Sequence, residues 1–218
     1  MTSNIYAEDT LQSIVGNMAD APDTSSEGSP PPRKIDARSL RGLAHPLRMQ
    51  ILELLELDGP ATATGLSERL GENSGNLSWH LRHLAEHGFI EEDSNRGTKR
   101  ERWWQVVKGK QVIQADEFLF DPATRDSFGV YTRQHIHLNF QRVIDALEGE
   151  LSSEWARAST VSDWINLRMT PAQLASLNAD LSRVVEEHRR SAAAITDSES
   201  QPVIVQIQAF PRKQRDVS

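Results

Sequence analysis

The chain has 218 residues, of which 38% are hydrophobic, and a formal net charge of −7 at pH 7, which suits one or two globular domains with apolar cores. It contains no cysteine, which excludes a disulfide framework, a thiolate nucleophile and a thiolate metal site. No apolar run approaches the roughly 20 residues that cross a bilayer, and the first residues lack the basic-then-apolar order of a secretory signal, so we expect a cytoplasmic protein with no membrane partner.

The first part of the chain is acidic and rich in serine and proline. Residues 1–32 contain five acids and neither Lys nor Arg. A segment with so few large apolar residues cannot bury enough surface to offset the entropy lost on ordering. We therefore predict a mostly disordered tail over residues 1–34.

Capping residues and apolar spacing predict two helices after this tail. Asp36 is a suitable N-cap for the first, and Pro46 begins the second. The apolar residues of the second recur at the spacing of one helix face, at Leu47, Ile51, Leu54 and Leu55. Gly59-Pro60 ends it.

A short third helix is predicted from a threonine cap and a glycine stop. Thr62 or Thr64 is the N-cap, and the helix ends at Gly71. Its apolar residues are Leu66 and Leu70.

The fourth predicted helix carries a narrow apolar stripe. Asn73 or Ser74 is its N-cap, and Gly88 closes it. On a helix of about 100° per residue its leucines share one side, at Leu77, Leu81 and Leu84. We expect this side to face the core.

After Gly88 the pattern changes from helix to strand. "FIEEDS" and "RERWWQVV" read as two short strands around the tip "NRGTK". Trp103 and Trp104 alternate faces of the second strand, so we expect one to cover the core. Residues 94–110 contain six basic residues and one acid, a local net charge of +5.

The last hundred residues predict a helical segment and a small α+β unit. A helical stretch runs over about 121–149, with an interruption expected near Gly129. A strand "SDWINLRM", a helix from Pro171 to about Ala194 and a strand "PVIVQIQAF" follow. The predicted domains are therefore a tail over 1–34, a mainly α domain with a β-wing over 35–110, and a helical and α+β region over 111–218.

Three short helices followed by a basic β-hairpin are what a winged helix-turn-helix domain requires. Over about residues 36–108 the chain closely resembles the ArsR-type winged-helix transcriptional regulators, in the segments "LAHPLRMQILELL", "ATATGLSERLGENSGNLSWHLRHLAEHGFIEED" and "GTKRERWW". The actinobacterial branch with an added C-terminal region is the nearest pattern. The resemblance implies a dimeric, sequence-specific DNA-binding regulator, most often a repressor.

The fourth predicted helix would then be the recognition helix, which enters the major groove. Its outward side offers an amide, a hydroxyl, an indole and a guanidinium for base and nearby phosphate contacts, from Asn76, Ser78, Trp79 and Arg82. Three hydroxyl residues at helix N-termini are candidates for phosphate binding, namely Thr62, Thr64 and Ser74. Trp79 stands where the family commonly has a polar residue, which favours van der Waals contact with a thymine methyl or a sugar.

The basic residues of the hairpin are candidates for phosphate or minor-groove contact. They are Arg96, Lys99, Arg100 and Arg102. Arginine suits narrow grooves, and Asn95 to Gly97 permits a tight tip.

Two groups of histidines are candidate metal sites, and the sequence favours a metal at neither. His80, His83 and His87 share a helical side, but a metal there would compete with DNA, and no cysteine or carboxylate completes the site. His135 and His137 resemble part of a metal pair of some family members, but Gln134 and Ile136 supply no carboxylate. We predict no metal site and no cofactor, and expect His80 to be a partly buried hydrogen-bonding residue and His83 to lie at the surface or face a phosphate.

The helix over about 121–149 is the predicted dimer helix. Its apolar residues at helical spacing are Ile136, Phe140, Val143 and Leu147. No Gly-rich phosphate loop, H-E-x-x-H or G-x-S-x-G motif occurs, so nothing in the sequence indicates an enzyme.

Two functions remain open from the sequence. The first is a homodimeric regulator of double-stranded DNA that an unknown small-molecule effector could control. The alternative is a winged-helix protein-interaction module without specific DNA readout, with the C-terminal unit as its working part. The basic hairpin favours the first.

Overall fold

The computed structural model describes residues 33–96, 101–109, 111–165, 167–192 and 200–212, which fall into two compact units. The first unit contains 33–111 and 117–142, and the second contains 112–116 and the described residues from 143 onward. The elements in chain order are β1 (Arg33–Lys34), α1 (Ala37–Leu43), α2 (Pro46–Leu57), β2 (Ala61–Thr62), α3 (Ala63–Leu70), α4 (Ser74–Glu86), β3 (Ile90–Glu92), β4 (Trp103–Val106), β5 (Gln111–Val112), α5 (Ala115–Leu119), α6 (Arg125–Glu148), α7 (Ser153–Ala158) and α8 (Pro171–Ala192).

Side-chain caps define the starts of the short helices, as the sequence predicts. The Asp36 carboxylate accepts a hydrogen bond from the Ser39 N–H at 2.7 Å and begins α1. Asn73 caps α4 in the same way, with its Oδ1 2.8 Å from the Gly75 nitrogen. Gly71 ends α3 at φ +65°, a left-handed conformation that glycine adopts without the steric cost of a Cβ. These local signals explain why four helices fit within about fifty residues.

The core of the first unit lies where α1, α2, α3 and α4 meet. The leucine stripe predicted for α4 is fully buried, at Leu77, Leu81 and Leu84. The three helices that contact α4 also bury leucine and isoleucine side chains, among them Leu40, Ile51 and Leu66. Burial of a leucine side chain stabilises a fold by roughly 1.5–3 kcal/mol, so this stripe determines which side of α4 faces outward.

The hairpin strands belong to a three-stranded antiparallel sheet in the order β2-β4-β3. Trp104 pairs with Ala61 and is buried, whereas Trp103 pairs with Thr62 and is half-buried. The predicted alternation of the two tryptophans is confirmed. β2 was not predicted, because two residues are too few to show a period-2 pattern.

Helix α6 differs from the sequence prediction because it continues through Gly129. An interior glycine costs a helix about 1 kcal/mol relative to alanine. Phe128 and Tyr131, on either side of it, are buried in the first unit, and their burial offsets that cost. The predicted interruption is therefore wrong.

In the described part of the second unit, the helices α7 and α8 carry no buried side chain. The strands predicted at 162–169 and 202–210 are not formed in the described parts of these segments. A strand requires a hydrogen-bonded neighbour, and an alternating apolar pattern cannot supply one. None of the described helices is long and apolar enough to cross a membrane.

Candidate nucleic-acid interface

Helix α4 turns a polar side outward because its leucines are buried on the other side. Asn76, Trp79 and Arg82 are all exposed, and the Trp79 side chain retains 51% of its accessible surface. A large indole with that exposure is unusual on a helix of a small domain, since aromatic side chains are normally drawn into the core. The structure thus brings together three of the side chains predicted to read bases.

Hydrogen bonds near the N-terminal end of α4 involve three of the predicted residues, Ser74, Asn76 and Ser78. The Ser78 hydroxyl donates to the Ser74 carbonyl at 2.8 Å, one turn back along the helix. The Asn76 amide nitrogen donates to the Glu72 carboxylate at 3.2 Å. The amide nitrogen carries a second N–H, so this N–H and the amide oxygen remain for a base edge.

The two threonines at the start of α3 have different environments. Thr62 is buried, and its hydroxyl accepts the hydrogen bond of the Gly65 N–H at 3.1 Å as the N-cap. Its side chain is therefore used inside the domain. Thr64 is exposed in the first turn of the same helix. A phosphate at this helix end would meet Thr64 and the free backbone N–H groups rather than the Thr62 hydroxyl.

The wing arginines that the structure describes lie beside acids. The Arg96 Nε is 3.3 Å from the buried Asp93 carboxylate, and its guanidinium lies over the Trp103 ring at 5.6 Å. Arg102 Nε is 3.8 Å from Glu92 Oε2. Both guanidinium groups remain more than half exposed, but only the Arg102–Glu92 pair is exposed on both sides, and such pairs contribute only about 0–1 kcal/mol. Arg102 can therefore exchange Glu92 for a phosphate at small cost, whereas Arg96 would leave a buried carboxylate without this partner.

The other two predicted wing residues, Lys99 and Arg100, lie outside the described residues. Their assignment as phosphate or minor-groove contacts stays a prediction from the sequence.

A column of aromatic rings runs beneath and along α4. His45 at the start of α2 lies against His80, with ring centroids 4.7 Å apart, and His80 meets the Trp79 indole edge-on at 4.8 Å. The Trp79 indole is stacked on His83 at 5.3 Å and 13°, and His83 meets His87 at 4.7 Å. We call these five residues the ring column.

The backbone of α1 passes close to His87 at the end of the ring column. A Cβ at Gly42 of α1 would lie 2.5 Å from the His87 Cγ, so only a glycine leaves room for this imidazole. The three histidines that share a side of α4, His80, His83 and His87, are therefore packed among Trp79, the N-cap of α2 and the backbone of α1.

The histidines of the ring column are held in the neutral form by their surroundings. Burial, with added repulsion from the Arg48 guanidinium, lowers the pKa of His45 and the pKa of His83. His80 is only 4% exposed, and burial followed by the nearby His45 lowers its pKa. Among the described residues the His80 Nδ1 has no hydrogen-bond partner, so the expected buried position is confirmed but the expected hydrogen bond is not formed.

His135 and His137, the other candidate metal group, lie in different environments. His135 is half-buried and stacked on the Tyr131 ring at 5.7 Å, whereas His137 is exposed. Burial lowers the pKa of His135, with a smaller effect from Arg142. Within the described ranges no group of three or more His, Asp or Glu side chains is arranged to hold a metal ion.

The predicted dimer residues of α6 are accessible in the single chain. Ile136 and Phe140 are exposed in the first unit, and Leu147 is exposed in the second. Val143 is half-buried. Large apolar side chains at i, i+4 on one exposed side of a helix are typical of a surface that a partner covers.

The stacking of Trp79 on His83 was not predicted from the sequence. Their i, i+4 spacing was a usable signal, because residues four apart are neighbours on a helix surface. The contribution of α2 to the same column, through His45 and Arg48, had no sequence signal, since it depends on how the helices cross.

Comparison with known proteins supports a helix-turn-helix domain. Residues 43–93 match the model of a family described as a helix-turn-helix domain. A comparison with curated proteins found no match.

Several solved structures are similar to parts of the chain. A homodimeric winged helix-turn-helix DNA-binding domain from Mycobacterium bovis, a possible ArsR-family transcriptional regulator, is 26% identical with a TM-score of 0.30, over 33% of this chain and 63% of that one. Reduced HlyU from Vibrio cholerae is 22% identical with a TM-score of 0.29, over 44% of this chain and 83% of that one. A MarR family regulator from Neisseria meningitidis is 15% identical with a TM-score of 0.28, over 70% of this chain and 78% of that one. The first of these matches spans less than two thirds of its relative.

The domain assignment rests on the family match and on the element order together. The matched range includes α2, α3 and α4, and β3 and β4 complete an antiparallel hairpin after them. Helices that end in such a hairpin are an architecture of DNA-binding regulators. The chain is a helix-rich protein that contains a winged helix-turn-helix domain.

Proposed function

We propose that this protein is a dimeric transcriptional regulator that binds specific double-stranded DNA with α4 in the major groove. The observation that carries the proposal is the two-sided character of α4, with buried leucines inward and Asn76, Trp79 and Arg82 exposed. An amide and a guanidinium are the groups that read adenine and guanine edges, and an indole can contact a thymine methyl.

The wing supports the proposal through its charge. Residues 94–110 have a net charge of +5 although the whole chain has −7. A local positive field is what attracts a phosphate backbone, and it acts over about 10 Å at ordinary salt. We assign Arg96, Lys99, Arg100 and Arg102 to phosphate or minor-groove contacts on the two sides of the hairpin.

Dimerisation follows from how such domains read DNA. A two-fold dimer places two recognition helices about 34 Å apart, in successive major grooves of a palindromic site. The exposed Ile136 and Phe140 of α6 are the surface we assign to the partner copy. Repression is the mode that the ArsR-type resemblance implies, and a small-molecule effector would act on the same dimer.

A second candidate function is a protein-interaction module. The observation in its favour is the exposure of large apolar side chains in the second unit, among them Trp164, Ile165 and Phe210. Monomeric proteins seldom leave so many unpartnered. Under this alternative the C-terminal region would hold a protein and α4 would have no specific DNA readout.

One experiment separates the two. The purified chain is used to select fragments from a random double-stranded DNA pool, and the selected sequence is compared with a scrambled one in a mobility shift. Enrichment of one palindromic sequence, lost in a variant with both Asn76→Ala and Arg82→Ala, supports the regulator. Equal affinity for selected and scrambled DNA would instead favour the interaction module.

A further inference from the structure

The most exposed aromatic side chain of α4 does not stand alone. The Trp79 indole is stacked on the His83 imidazole, with centroids 5.3 Å apart and planes 13° from parallel. It also meets the ring of His80, which is buried, in a T-shaped contact with centroids 4.8 Å apart. An exposed indole would otherwise sample several rotamers, so two ring contacts restrict the direction in which it points.

His83 is partly exposed, so a molecule that binds α4 can contact it. It lies one helical turn after Trp79, and its side chain is 27% exposed, so solvent or a phosphate can reach it while one ring face stays covered. We propose that His83 positions the Trp79 indole on the DNA-binding surface and takes up a proton when α4 binds DNA. This inference rests on the proposed function.

The charged groups around His83 come from three elements. From α2, Arg48 opposes a positive charge on it. His45, the N-cap of α2, is close enough for His83 to lower its pKa. On α4 itself the Glu86 carboxylate is 4.0 Å from the His83 Nδ1 and favours the charge, and His87 is in ring contact. Beyond these, Arg38 of α1 faces His87, and Glu72 before α4 faces His80.

In the free protein the balance of these effects favours the neutral form of His83. Burial lowers its pKa from the ordinary 6.5, Arg48 lowers it further, and Glu86 offsets them only in part. A DNA phosphate near the exposed part of the ring favours the protonated form. Binding therefore raises the proton affinity of His83, and by linkage a lower pH strengthens binding.

Protonation would also tighten the contact with the indole. A cationic imidazole over an indole face gains a cation–π attraction that a neutral one lacks. The same proton thus holds Trp79 more firmly and adds a positive charge beside the phosphates. Both effects strengthen DNA binding at lower pH, so the predicted direction of the pH dependence is the same for each.

The test measures affinity for a selected DNA fragment at pH 8.0 and pH 6.0 and constant ionic strength. The wild-type affinity should rise roughly threefold to tenfold at the lower pH, since one proton linked over part of this range permits at most tenfold per pH unit. His83→Phe keeps a planar ring on the indole but cannot be protonated, so its affinity should not change between pH 8.0 and pH 6.0. His188→Phe, on exposed α8, is the control for a remote histidine and should follow wild type.

The positioning role has its own comparison. His83→Ala should weaken binding at pH 8.0 about threefold to tenfold, and His83→Phe should restore it, because only a ring can hold the indole. If alanine and phenylalanine variants bind alike at pH 8.0, His83 does not position Trp79. Circular dichroism of each variant verifies that the domain is folded.

Calorimetry of the wild-type chain provides a test that needs no variant. Binding enthalpies measured in two buffers of different ionisation enthalpy should show net proton uptake near pH 6.5. Binding without proton uptake and without pH dependence, or full pH dependence retained in His83→Phe, would overturn the inference while leaving DNA binding intact. No sequence-specific binding at either pH would overturn the proposed function and this inference with it.

Discussion

The Arg142 guanidinium of α6 donates a hydrogen bond from Nε to the Glu53 carboxylate of α2, 89 residues earlier in the chain. Both side chains are mostly buried. The same guanidinium donates from Nη1 to Asn139 Oδ1 at 3.0 Å, which fixes its orientation on α6. This pair joins the helix assigned to dimerisation to a helix that packs directly against α4.

Breaking this pair should destabilise the first unit. Arg142→Met leaves a mostly buried carboxylate without its partner, and we expect a loss of about 2–4 kcal/mol in the free energy of unfolding. The double variant Glu53→Met with Arg142→Met removes both charges and should recover most of that loss. Urea unfolding of the four proteins gives the coupling energy. A double variant as unstable as the single one would show that the side chains stabilise the fold through packing alone.

Base and phosphate contacts should respond differently to mutation. Asn76→Ala or Arg82→Ala should cost about 1–3 kcal/mol on the selected DNA, relax the preference at one or two base positions and affect scrambled DNA less. Arg82 lies one turn further along α4 than Ser78. Of the two predicted base contacts, that of Arg82 is therefore the one that a phosphate contact could replace most easily. Affinity measured on selected and scrambled fragments checks this prediction.

The wing variants should instead weaken both kinds of DNA by similar factors. Arg96→Ala and Arg100→Ala each remove a candidate phosphate contact, and the slope of log affinity against log salt should become shallower by roughly one unit per contact. Asp93→Asn provides a matched comparison for Arg96, because it removes the acid 3.3 Å from the guanidinium and should strengthen binding to all sequences. A wing variant that loses only the selected DNA would reverse the roles we assign to wing and helix.

The dimer assignment predicts a monomer when α6 is made polar. Replacing Phe140 and Val143 by aspartate places two charges on the surface we assign to the partner copy, and a buried unpaired charge costs several kcal/mol. Sedimentation should show wild-type dimers at micromolar concentration and monomers for the variant. DNA affinity should fall with it, because a monomer reads only half a palindrome. Exposed Glu154 of α7, replaced by lysine, is a charge-change control that should remain dimeric.

The histidines of the ring column should make the first unit acid-sensitive. Burial lowers the pKa of His80 in the folded state, so the unfolded chain binds the proton more readily. The stabilisation is fully present above the unfolded value of about 6.5 and is lost as pH falls through 6.5 toward the lower folded pKa. His80→Leu cannot be protonated, so its thermal midpoint should fall less than that of wild type between pH 7.5 and 5.5. Equal falls would assign the acid sensitivity to His45, His83 and His87.

Metal ions should have no effect on this protein. A ligand that binds the native state must raise its stability, so zinc at modest excess should leave both the thermal midpoint and DNA affinity unchanged. His135 and His137 lie in different environments on α6, which disfavours a shared ion. Stoichiometric zinc that survives dialysis and disappears in the variant with both histidines replaced by alanine would contradict this.

Much of the first unit could be predicted because its signals are local. Asp36, Asn73 and Gly71 act within one helical turn, and the leucines of α4 identify its buried side by spacing alone. Gly129 shows the limit of such rules. A glycine predicts a break in a helix only where no tertiary contact stabilises that helix. Here the burial of Phe128 and Tyr131 stabilises α6 through Gly129, and this burial is not visible in the local sequence.

The sequence by itself determined the winged helix-turn-helix order, the outward side of α4 and the positive charge of the wing, because caps, periods and charge counts operate over a few residues. Only the tertiary structure decided that the Thr62 hydroxyl is used as a cap in the interior, that Arg142 pairs with Glu53, and that His45, the N-cap of α2, lies against His80. These relations join residues up to 89 positions apart. They depend on how the packed helices cross. A pattern in the sequence does not give the distance between two side chains that only the packed core brings together.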